Sequence, residues 1–252
     1  MYTLKKSLGQ HFLRDENMVL KIISALQDHP FQQLLEIGPG GGALTKHLIE
    51  MPGIDFKAVE LDEEKILFLE NTYPAIKGKL IHASILDIDA PFDSTFTVIG
   101  NFPYNISSQI LFKILDWKKE VQAVVGMFQK EVAQRIAAKH GNKTYGILSV
   151  LIQAFFAVEY LFEVHEQCFN PPPKVKSAVI RLTPRKEPLH IPDEKLFFTL
   201  VKTAFNQRRK MLRNAVRNLF NEEILKSPIF DKRAEQLSIE DFVQLSILHS
   251  QQ

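Results

Sequence analysis

The chain has 252 residues, of which 45% are hydrophobic and 24% charged, and its formal net charge at pH 7 is +2. This composition is typical of a globular protein of one or two domains, and near-neutrality excludes nucleic-acid binding through bulk charge alone. The single cysteine, Cys168, excludes a disulfide framework and a cysteine-rich zinc site, and the eight histidines lack metal-ligand spacing, so we expect no metal. The polar N-terminus and the lack of a long apolar run predict a cytoplasmic protein without a membrane span.

Strand-like and helix-like segments alternate through the first two thirds of the chain. The predicted strands are 33–37, 55–61, 80–83, 95–99 and 121–128, and the predicted helices are 17–27, 43–50, 63–70 and 106–115. This alternation predicts βαβ units and an α/β fold with a mainly parallel sheet covered on both faces. Two later strands, 154–164 and 178–182, have no helix between them, which predicts an antiparallel pair at one sheet edge and brings the sheet to seven strands.

The pattern of the sequence changes after the segment 183–188, which contains two prolines. From Asp193 onward only helical periodicity remains, with an interruption near Pro228. We therefore expect two domains, an α/β domain over residues 1–185 and a small all-helical domain over 186–252.

A glycine-rich loop closes the first predicted strand and opens a helix. Glu36, Gly38, Gly40 and Gly42 match E-x-G-x-G-x-G, the loop of S-adenosylmethionine methyltransferases. The same glycines fit the G-x-G-x-x-G/A fingerprint of dinucleotide-binding proteins, and Glu60 follows at the spacing of a ribose-binding acid. Both cofactors carry an adenosine ribose, so this loop alone leaves the two alternatives open.

The tetrapeptide Asn101-Phe102-Pro103-Tyr104 follows the fourth predicted strand. At the carboxyl end of a parallel strand it lies where such folds bind ligands. The Asn101 carbonyl and the main-chain carbonyl before the proline can accept both hydrogens of an exocyclic amine, and Tyr104 offers a ring for stacking. An ordinary strand-to-helix turn is the alternative interpretation. Because a dehydrogenase needs no such tetrapeptide, the motif favours methyl transfer to an amine over hydride transfer.

Four motifs in order resemble those of the ribosomal RNA adenine-N6,N6-dimethyltransferase family, which acts near the 3′ end of small-subunit rRNA. Two are the glycine loop with its acids and the Asn-Phe-Pro-Tyr tetrapeptide. The N-terminal segment Ser7–Leu13 is similar to the family's first signature, and Phe169–Val175 with Ser177–Val179 is similar to a late one. Phe205–Lys210 also resembles the family's helical-domain signature. The resemblance covers nearly the whole chain and implies a Rossmann-like methyltransferase domain followed by a helical RNA-binding domain.

The resemblance also implies roles for individual residues. The residues implied to bind S-adenosylmethionine are His11, Leu13, Glu36, Gly38, Gly40, Glu60, Ser84, Ile85 and Asn101. Those implied to hold and stack on a flipped adenine are Asn101, Phe102, Pro103, Tyr104 and Phe169. One position departs from the family pattern, because Ser84-Ile85 stands where an Asp usually contacts the cofactor's adenine. Asp87 is the alternative partner if the loop is shifted.

A basic segment lies in the helical region. Residues 195–221 contain seven Lys or Arg and no acid. The spacing of Arg209, Arg213 and Arg217, with an apolar stripe on another face, predicts an amphipathic helix over 209–219 with a basic outer face. A solvated surface normally mixes both signs of charge, so the pattern favours phosphate binding. The predicted RNA-binding residues are Arg208, Arg209, Lys210, Arg213 and Arg217, with Lys5, Lys6, Lys174 and Lys176 extending the patch.

Together with the motifs, the resemblance implies a monomeric enzyme that methylates N6 of two adjacent adenosines of 16S rRNA on the small subunit or its precursor during ribosome biogenesis. One alternative is a large-subunit rRNA adenine methyltransferase of the macrolide-resistance type. The other is an assembly factor for which methylation is secondary.

Overall fold

The computed structural model describes residues 11–26 and 30–251. The first four residues of the N-terminal motif, Lys5, Lys6 and the end of the first predicted helix at Gln27 lie outside the described residues. Within those ranges, no helix is long and apolar enough to cross a membrane.

The described residues form nine strands, which are β1 (Phe12–Leu13), β2 (Gln33–Ile37), β3 (Asp55–Glu60), β4 (Leu80–His82), β5 (Phe96–Asn101), β6 (Val121–Gln129), β7 (Phe156–Val164), β8 (Phe169–Asn170) and β9 (Ser177–Pro184). Seven of them form one sheet, in the order β4-β3-β2-β5-β6-β9-β7. A short antiparallel pair, β1 with β8, stands apart from it. Neighbouring strands from β4 to β6 run parallel, and β9 runs antiparallel to β6. The predicted α/β class and the seven strands are confirmed.

Ten α-helices accompany the strands in the described residues. They are α1 (Glu16–Ser24), α2 (Thr45–Leu48), α3 (Glu63–Thr72), α4 (Ser107–Asp116), α5 (Lys130–Ala137), α6 (Ile147–Gln153), α7 (Glu194–Asn206), α8 (Leu212–Ala215), α9 (Glu222–Leu225) and α10 (Ile239–His249). Several begin where a side-chain oxygen caps the first turn, as Asp15 does for α1 and Asp62 for α3. Such caps satisfy backbone N–H groups that the helix itself leaves without partners.

The central strands are buried on both faces, which explains their unbroken apolar sequence. Leu34, Leu35, Val98 and Ile99 are each 0% exposed. Strand β5 continues two residues beyond its predicted end, so Asn101 is its last residue. A Cβ on Gly100 would lie 2.6 Å from the Ile37 carbonyl oxygen, and glycine therefore allows the strand to run this close to its neighbour.

The described chain divides into two compact units. Of the described residues, the first unit comprises those up to 133 and 158–184, and the second comprises 134–157 and those from 185 onward. The second unit begins at 185, next to the predicted boundary, but it also takes the segment 134–157, which the prediction placed in the first domain. That segment contains the second half of α5 and all of α6, two helices that were not predicted. Both are short and bury an apolar face, as Ile136 and Val150, each 0% exposed, show.

The predicted amphipathic helix over 209–219 is wrong. Helix α7 ends at Asn206, residues 207–210 form turns, and α8 covers only four residues. Met211 is extended, with ψ 148°, and the Leu212 N–H donates to the Lys232 carbonyl at 2.7 Å, so the chain leaves the helical path there. Leu212 and Val216 are both 0% exposed, and their burial stabilises this irregular path of the chain.

Candidate active site

A cavity of about 520 Å³ lies in the first unit at the carboxyl ends of β2, β3 and β5. Parallel α/β sheets bind ligands at this edge because the strand-to-helix loops diverge there. The sequence-predicted site residues that line it are His11, Leu13, Glu36, Gly38, Gly40, Glu60, Ser84, Asn101, Phe102, Pro103 and Tyr104. The structure therefore gathers eleven of the predicted positions, taken from five separate chain segments, around one cavity.

The glycine turn after β2 forms one wall. Gly38 and Gly40 have φ of 69° and 55°, in the left-handed region that favours glycine. A Cβ on Gly40 would lie 3.1 Å from the Phe12 ring, so that ring covers the turn closely. The turn thus exposes backbone to the cavity, as close approach of a ligand requires.

Glu60, the last residue of β3, ties this turn to the neighbouring loop. Its Oε2 accepts from the Gly40 N–H at 3.2 Å, and its Oε1 accepts from the N–H groups of Leu61 and Asp62 at 3.0 Å each. The Lys65 ammonium lies 3.8 Å from Oε2. Glu60 is 7% exposed and lines the cavity, so the carboxylate that fixes the loops also borders the space open to a ligand.

Glu36, the neighbour of that turn on β2, is buried as a neutral acid. Its side chain is 1% exposed, and Thr45 Oγ1 donates to its Oε2 at 2.7 Å. Burial raises the pKa of Glu36 to about 8, and the nearby charge of Glu60 raises the pKa further while the Thr45 hydrogen bond opposes the shift. The carboxyl therefore carries its proton at neutral pH. Thr45 had no sequence signal for this role beyond its place in the turn's helix.

Asn101 is held by a backbone contact from the N-terminal segment. Its Nδ2 donates to the His11 carbonyl oxygen at 3.0 Å. That bond uses one hydrogen of the amide nitrogen and orients the side chain, and Oδ1 is the atom able to accept from a bound ligand. Phe102 next to it is 1% exposed, and its ring meets that of Phe128 edge-on at 5.0 Å. The Phe102 side chain is thus core, and only its backbone is suited to the site.

Tyr104 is anchored at its hydroxyl. The Tyr104 and Ser177 oxygens are 2.5 Å apart, and the ring centroid is 5.6 Å from that of His11. Burial raises the pKa of the Tyr104 phenol, and the hydrogen bond with Ser177 partly opposes this shift. The phenol is therefore neutral at physiological pH and presents an aromatic face to the cavity.

Two predicted residues lie elsewhere. Phe169 is 0% exposed in the hydrophobic core, so its ring is not at the cavity surface as the stacking prediction requires. It pairs with Leu13 between β8 and β1, which explains its burial. Ile85 is 6% exposed in the interior, whereas Ser84 and Leu86 line the cavity and Ser84 Oγ accepts from the Leu86 N–H at 3.2 Å. Asp87 is exposed outside the lining, which leaves Ser84 as the polar side chain of this loop at the cavity.

The first and fourth sequence motifs meet in space. Strand β1 pairs with β8 through Phe12 with Asn170, and His11 Nδ1 donates to the Pro171 carbonyl at 2.9 Å. This contact, between residues 160 apart in sequence, holds the N-terminal segment against the site. No group of three or more His, Cys, Asp or Glu residues suited to a metal ion occurs within residues 11–26 and 30–251.

The five predicted RNA-binding residues lie in the second unit, on turns and on the short helix α8, whereas Lys174 and Lys176 are exposed residues of the first unit. Arg209, Lys210 and Arg217 are exposed. Arg213 is ion-paired with Asp231, and the Arg208 guanidinium donates to the Lys143 carbonyl. The second of these contacts places an additional basic loop, with exposed Lys139 and Lys143, beside Arg208. This loop was not predicted to bind RNA, although the segment Lys-His-Gly-Asn-Lys over 139–143 indicates a basic turn.

This fold and cavity define a class, an α/β protein with a ligand-sized cavity at the carboxyl ends of its parallel strands, lined by a glycine turn and an Asn-x-Pro-Tyr tetrapeptide. The family model described as ribosomal RNA adenine dimethylase matches residues 1–251, and the chain belongs to this family of methyltransferases.

Individual proteins agree with this family assignment. The chain is 52% identical over 247 residues to a ribosomal RNA small subunit methyltransferase A of Cytophaga hutchinsonii, covering 96% of this chain and 95% of the relative. Among solved structures it is similar to a dimethyladenosine transferase from Plasmodium falciparum, with a TM-score of 0.79, 23% identity and coverage of 96% and 98%. It is also similar to the 23S rRNA methyltransferase ErmE, with a TM-score of 0.65, 23% identity and coverage of 92% and 98%. At 23% identity these two structures support the fold alone.

Proposed function

We propose that the protein transfers methyl groups from S-adenosylmethionine to N6 of two adjacent adenosines near the 3′ end of 16S rRNA, giving N6,N6-dimethyladenosine. The proposal rests mainly on Asn101. Its side-chain nitrogen donates to the His11 carbonyl, which leaves its oxygen able to accept an amine hydrogen, and it lines the same cavity as the glycine turn and Glu60. Family membership supplies the substrate class, and the small subunit or its precursor is the proposed partner.

The residues around the glycine turn fit S-adenosylmethionine. When bound, this cofactor supplies an electrophilic methyl group on a sulfonium. Glu60 offers a carboxylate to the ribose hydroxyls, and the turn at Gly38 and Gly40 allows the methionine portion to approach the backbone. Ser84 is the polar side chain beside the proposed adenine position, where its hydroxyl accepts a backbone bond within its own loop.

The target amine is held by acceptors that do not need to be ionised. Adenine N6 is a poor nucleophile because its lone pair is delocalised into the ring. Hydrogen bonds from both N6 hydrogens to Asn101 Oδ1 and the Phe102 carbonyl favour a pyramidal nitrogen with its lone pair turned toward the methyl group. Asn101 is fixed by its bond to His11, so catalysis rests on positioning and on dipoles already oriented toward developing positive charge.

The chain needs no strong base to begin this reaction. The N6 nitrogen becomes acidic once methylated and releases its proton afterwards. Glu36 is the buried acid nearest in sequence to the turn, but its pKa of about 8 keeps it protonated at pH 7 and its oxygen accepts from Thr45. We therefore assign Glu36 to the support of the turn rather than to proton abstraction.

The target base must leave its stack to reach Asn101. Extrusion of a base costs a few kcal/mol, and stacking on an aromatic ring offsets about 1–3 kcal/mol of this. Tyr104 is the ring that the structure offers for this purpose, since Phe169 is fully buried.

The helical second unit supplies a surface for the RNA backbone. Exposed Arg209, Lys210 and Arg217, together with Lys139 and Lys143 on the adjacent loop, concentrate positive charge in a chain that is nearly neutral overall. Such a cluster binds phosphates without reading base sequence, which suits recognition of folded RNA by shape. Arg213 is ion-paired with Asp231, and we assign it to the packing of its own unit.

Replacement of Asn101 by alanine tests this proposal. Purified wild type and Asn101→Ala are given labelled S-adenosylmethionine and unmethylated small subunits, and cofactor binding is measured separately by calorimetry. Removal of a positioned acceptor in the transition state predicts a loss of about 100-fold or more in kcat, with a change in cofactor affinity that is small by comparison. Asn17→Ala, at an exposed position of α1, is the matched control. An Asn101→Ala enzyme with wild-type kcat would overturn the proposed mechanism.

A further inference from the structure

We infer that Ser177 is a positioning residue for methyl transfer, because its buried hydroxyl fixes the far end of the Tyr104 ring on which the target base is proposed to stack. This inference rests on the proposed role of Tyr104. It concerns a residue that the sequence motif includes without giving it a function.

Ser177 is a rigid anchor. It is the first residue of β9 and pairs in register with Gln129 of β6, while the Lys130 N–H donates to the carbonyl of Lys176 at 2.9 Å. Its side chain is 0% exposed, and its Oγ lies 2.5 Å from the Tyr104 hydroxyl oxygen. A serine hydroxyl in this setting has its rotamer set by the surrounding sheet rather than by solvent.

Tyr104, by contrast, belongs to a turn between strand β5 and helix α4. The turn is closed by the Ile106 N–H donating to the Pro103 carbonyl at 3.2 Å and by Ser107 Oγ donating to the Tyr104 carbonyl at 3.2 Å. These bonds fix the backbone of Tyr104 but leave rotation about its side-chain torsions. The hydroxyl bond at the far end of the ring supplies the second point of attachment, and the two points fix the direction of the ring's long axis and so the place of the ring in the cavity.

The position of that ring matters for the reaction. Tyr104 lines the cavity three residues after Asn101, and its ring lies at a centroid distance of 5.6 Å and an angle of 31° from that of His11. His11 in turn supplies the carbonyl that holds Asn101. A displaced Tyr104 ring would therefore displace a stacked base relative to the acceptor at Asn101. Misplacement of reacting groups by about 1 Å can cost as much as 100-fold in rate.

The glycine turn and Glu60 do not take part in this contact. The Ser177–Tyr104 bond should thus affect the handling of the target base and leave cofactor binding nearly unchanged. A positioning role therefore predicts a loss of kcat alone. A general structural role would instead lower kcat, cofactor affinity and the stability of the unit together.

A double-mutant cycle tests the inference. Ser177→Ala removes the anchor, Tyr104→Phe keeps the ring but removes its hydroxyl, and the combined variant removes both partners. For each protein, kcat and KM for small subunits are measured at 25 °C, with cofactor Kd by calorimetry and the unfolding midpoint as a check of folding. Ser246→Ala is the matched control, since Ser246 is a serine of α10 that is 2% exposed and donates to the Val243 carbonyl at 2.7 Å.

The inference predicts that Ser177→Ala and Tyr104→Phe each lower kcat by about 10-fold, with cofactor Kd within about twofold, and that the combined variant is no worse than the poorer single variant. Ser246→Ala should keep the wild-type kcat. Wild-type kcat in folded Ser177→Ala would overturn the inference, and so would losses that multiply in the combined variant. If Ser177→Ala does not fold, Tyr104→Phe alone decides, because an unchanged kcat in that variant also refutes the role of the bond. The proposed function fails separately, through activity of Asn101→Ala.

Discussion

Replacement of Glu60 by glutamine perturbs the contact that closes the cofactor side of the cavity. The carboxylate accepts three backbone N–H bonds, from Gly40 at 3.2 Å and from Leu61 and Asp62 at 3.0 Å. Glutamine keeps one acceptor oxygen. If this oxygen accepts from the N–H groups of Leu61 and Asp62, the new NH₂ group faces the Gly40 N–H. Two donors then face each other at a buried position, and the Gly40 N–H loses its acceptor.

The expected loss of stability follows from these contacts. A hydrogen bond to a charged acceptor contributes about 1.5–3 kcal/mol, and removing the negative charge beside Lys65, whose side chain is 6% exposed, adds to the loss. We expect Glu60→Gln to lower the free energy of unfolding by about 3 kcal/mol, which for a unit of this size corresponds to about 6–12 °C in the unfolding midpoint.

The assay is urea unfolding of the protein without cofactor, followed by titration with S-adenosylmethionine. Omitting the cofactor separates the support of the loops from any lost contact to the ribose. Glu50→Gln, at an exposed site, should change the unfolding free energy by less than about 0.5 kcal/mol. A Glu60→Gln protein as stable as wild type would refute the reasoning that this carboxylate closes the turn.

Three further changes probe other parts of the structure. The free energy of unfolding of Glu36→Gln should rise relative to that of wild type between about pH 4.5 and pH 8. The raised pKa of Glu36 makes the wild-type protein lose stability across that window, because its folded state must give up a proton that its unfolded state has already lost. Urea unfolding of both proteins at pH 5 and pH 9 measures the difference. Gly100→Ala should lower the free energy of unfolding by about 2–3 kcal/mol, because the new Cβ lies 2.6 Å from a backbone oxygen. Gly53→Ala should lower it by about 1 kcal/mol, because its Cβ points into open space but its φ is 74°. Thermal unfolding compares the two variants. Arg209→Gln should reduce the salt slope of small-subunit binding by about 1, while the ion-paired Lys226→Gln should not.

The parallel sheet could be predicted because its signal is local and strong. Strand β2 has the predicted bounds, and its apolar run reflects burial on both faces. The glycine turn and the Asn101 tetrapeptide could be placed at one edge of the sheet for the same reason, since each directly follows a strand.

What could not be predicted depends on contacts between distant segments. The prediction of a basic helix over 209–219 is wrong because the Leu212 N–H donates to the Lys232 carbonyl. This bond interrupts the helix that the spacing of Arg209, Arg213 and Arg217 indicates. Phe169 is buried because it pairs with Leu13, far away in sequence.

The anchor of Tyr104 and the Arg208 contact to the loop at Lys143 likewise join residues whose spacing carries no pattern. Periodicity and motif spacing report local structure, whereas these features follow from tertiary packing.

The central claim is best tested by the modified nucleoside itself. Wild-type protein is incubated with labelled S-adenosylmethionine and unmethylated small subunits, large subunits or DNA, and the nucleic acid is digested and separated by chromatography. We expect label in N6,N6-dimethyladenosine from small subunits alone. Label confined to large-subunit RNA or DNA, or binding to small subunits with no transfer of label, would contradict the proposed function.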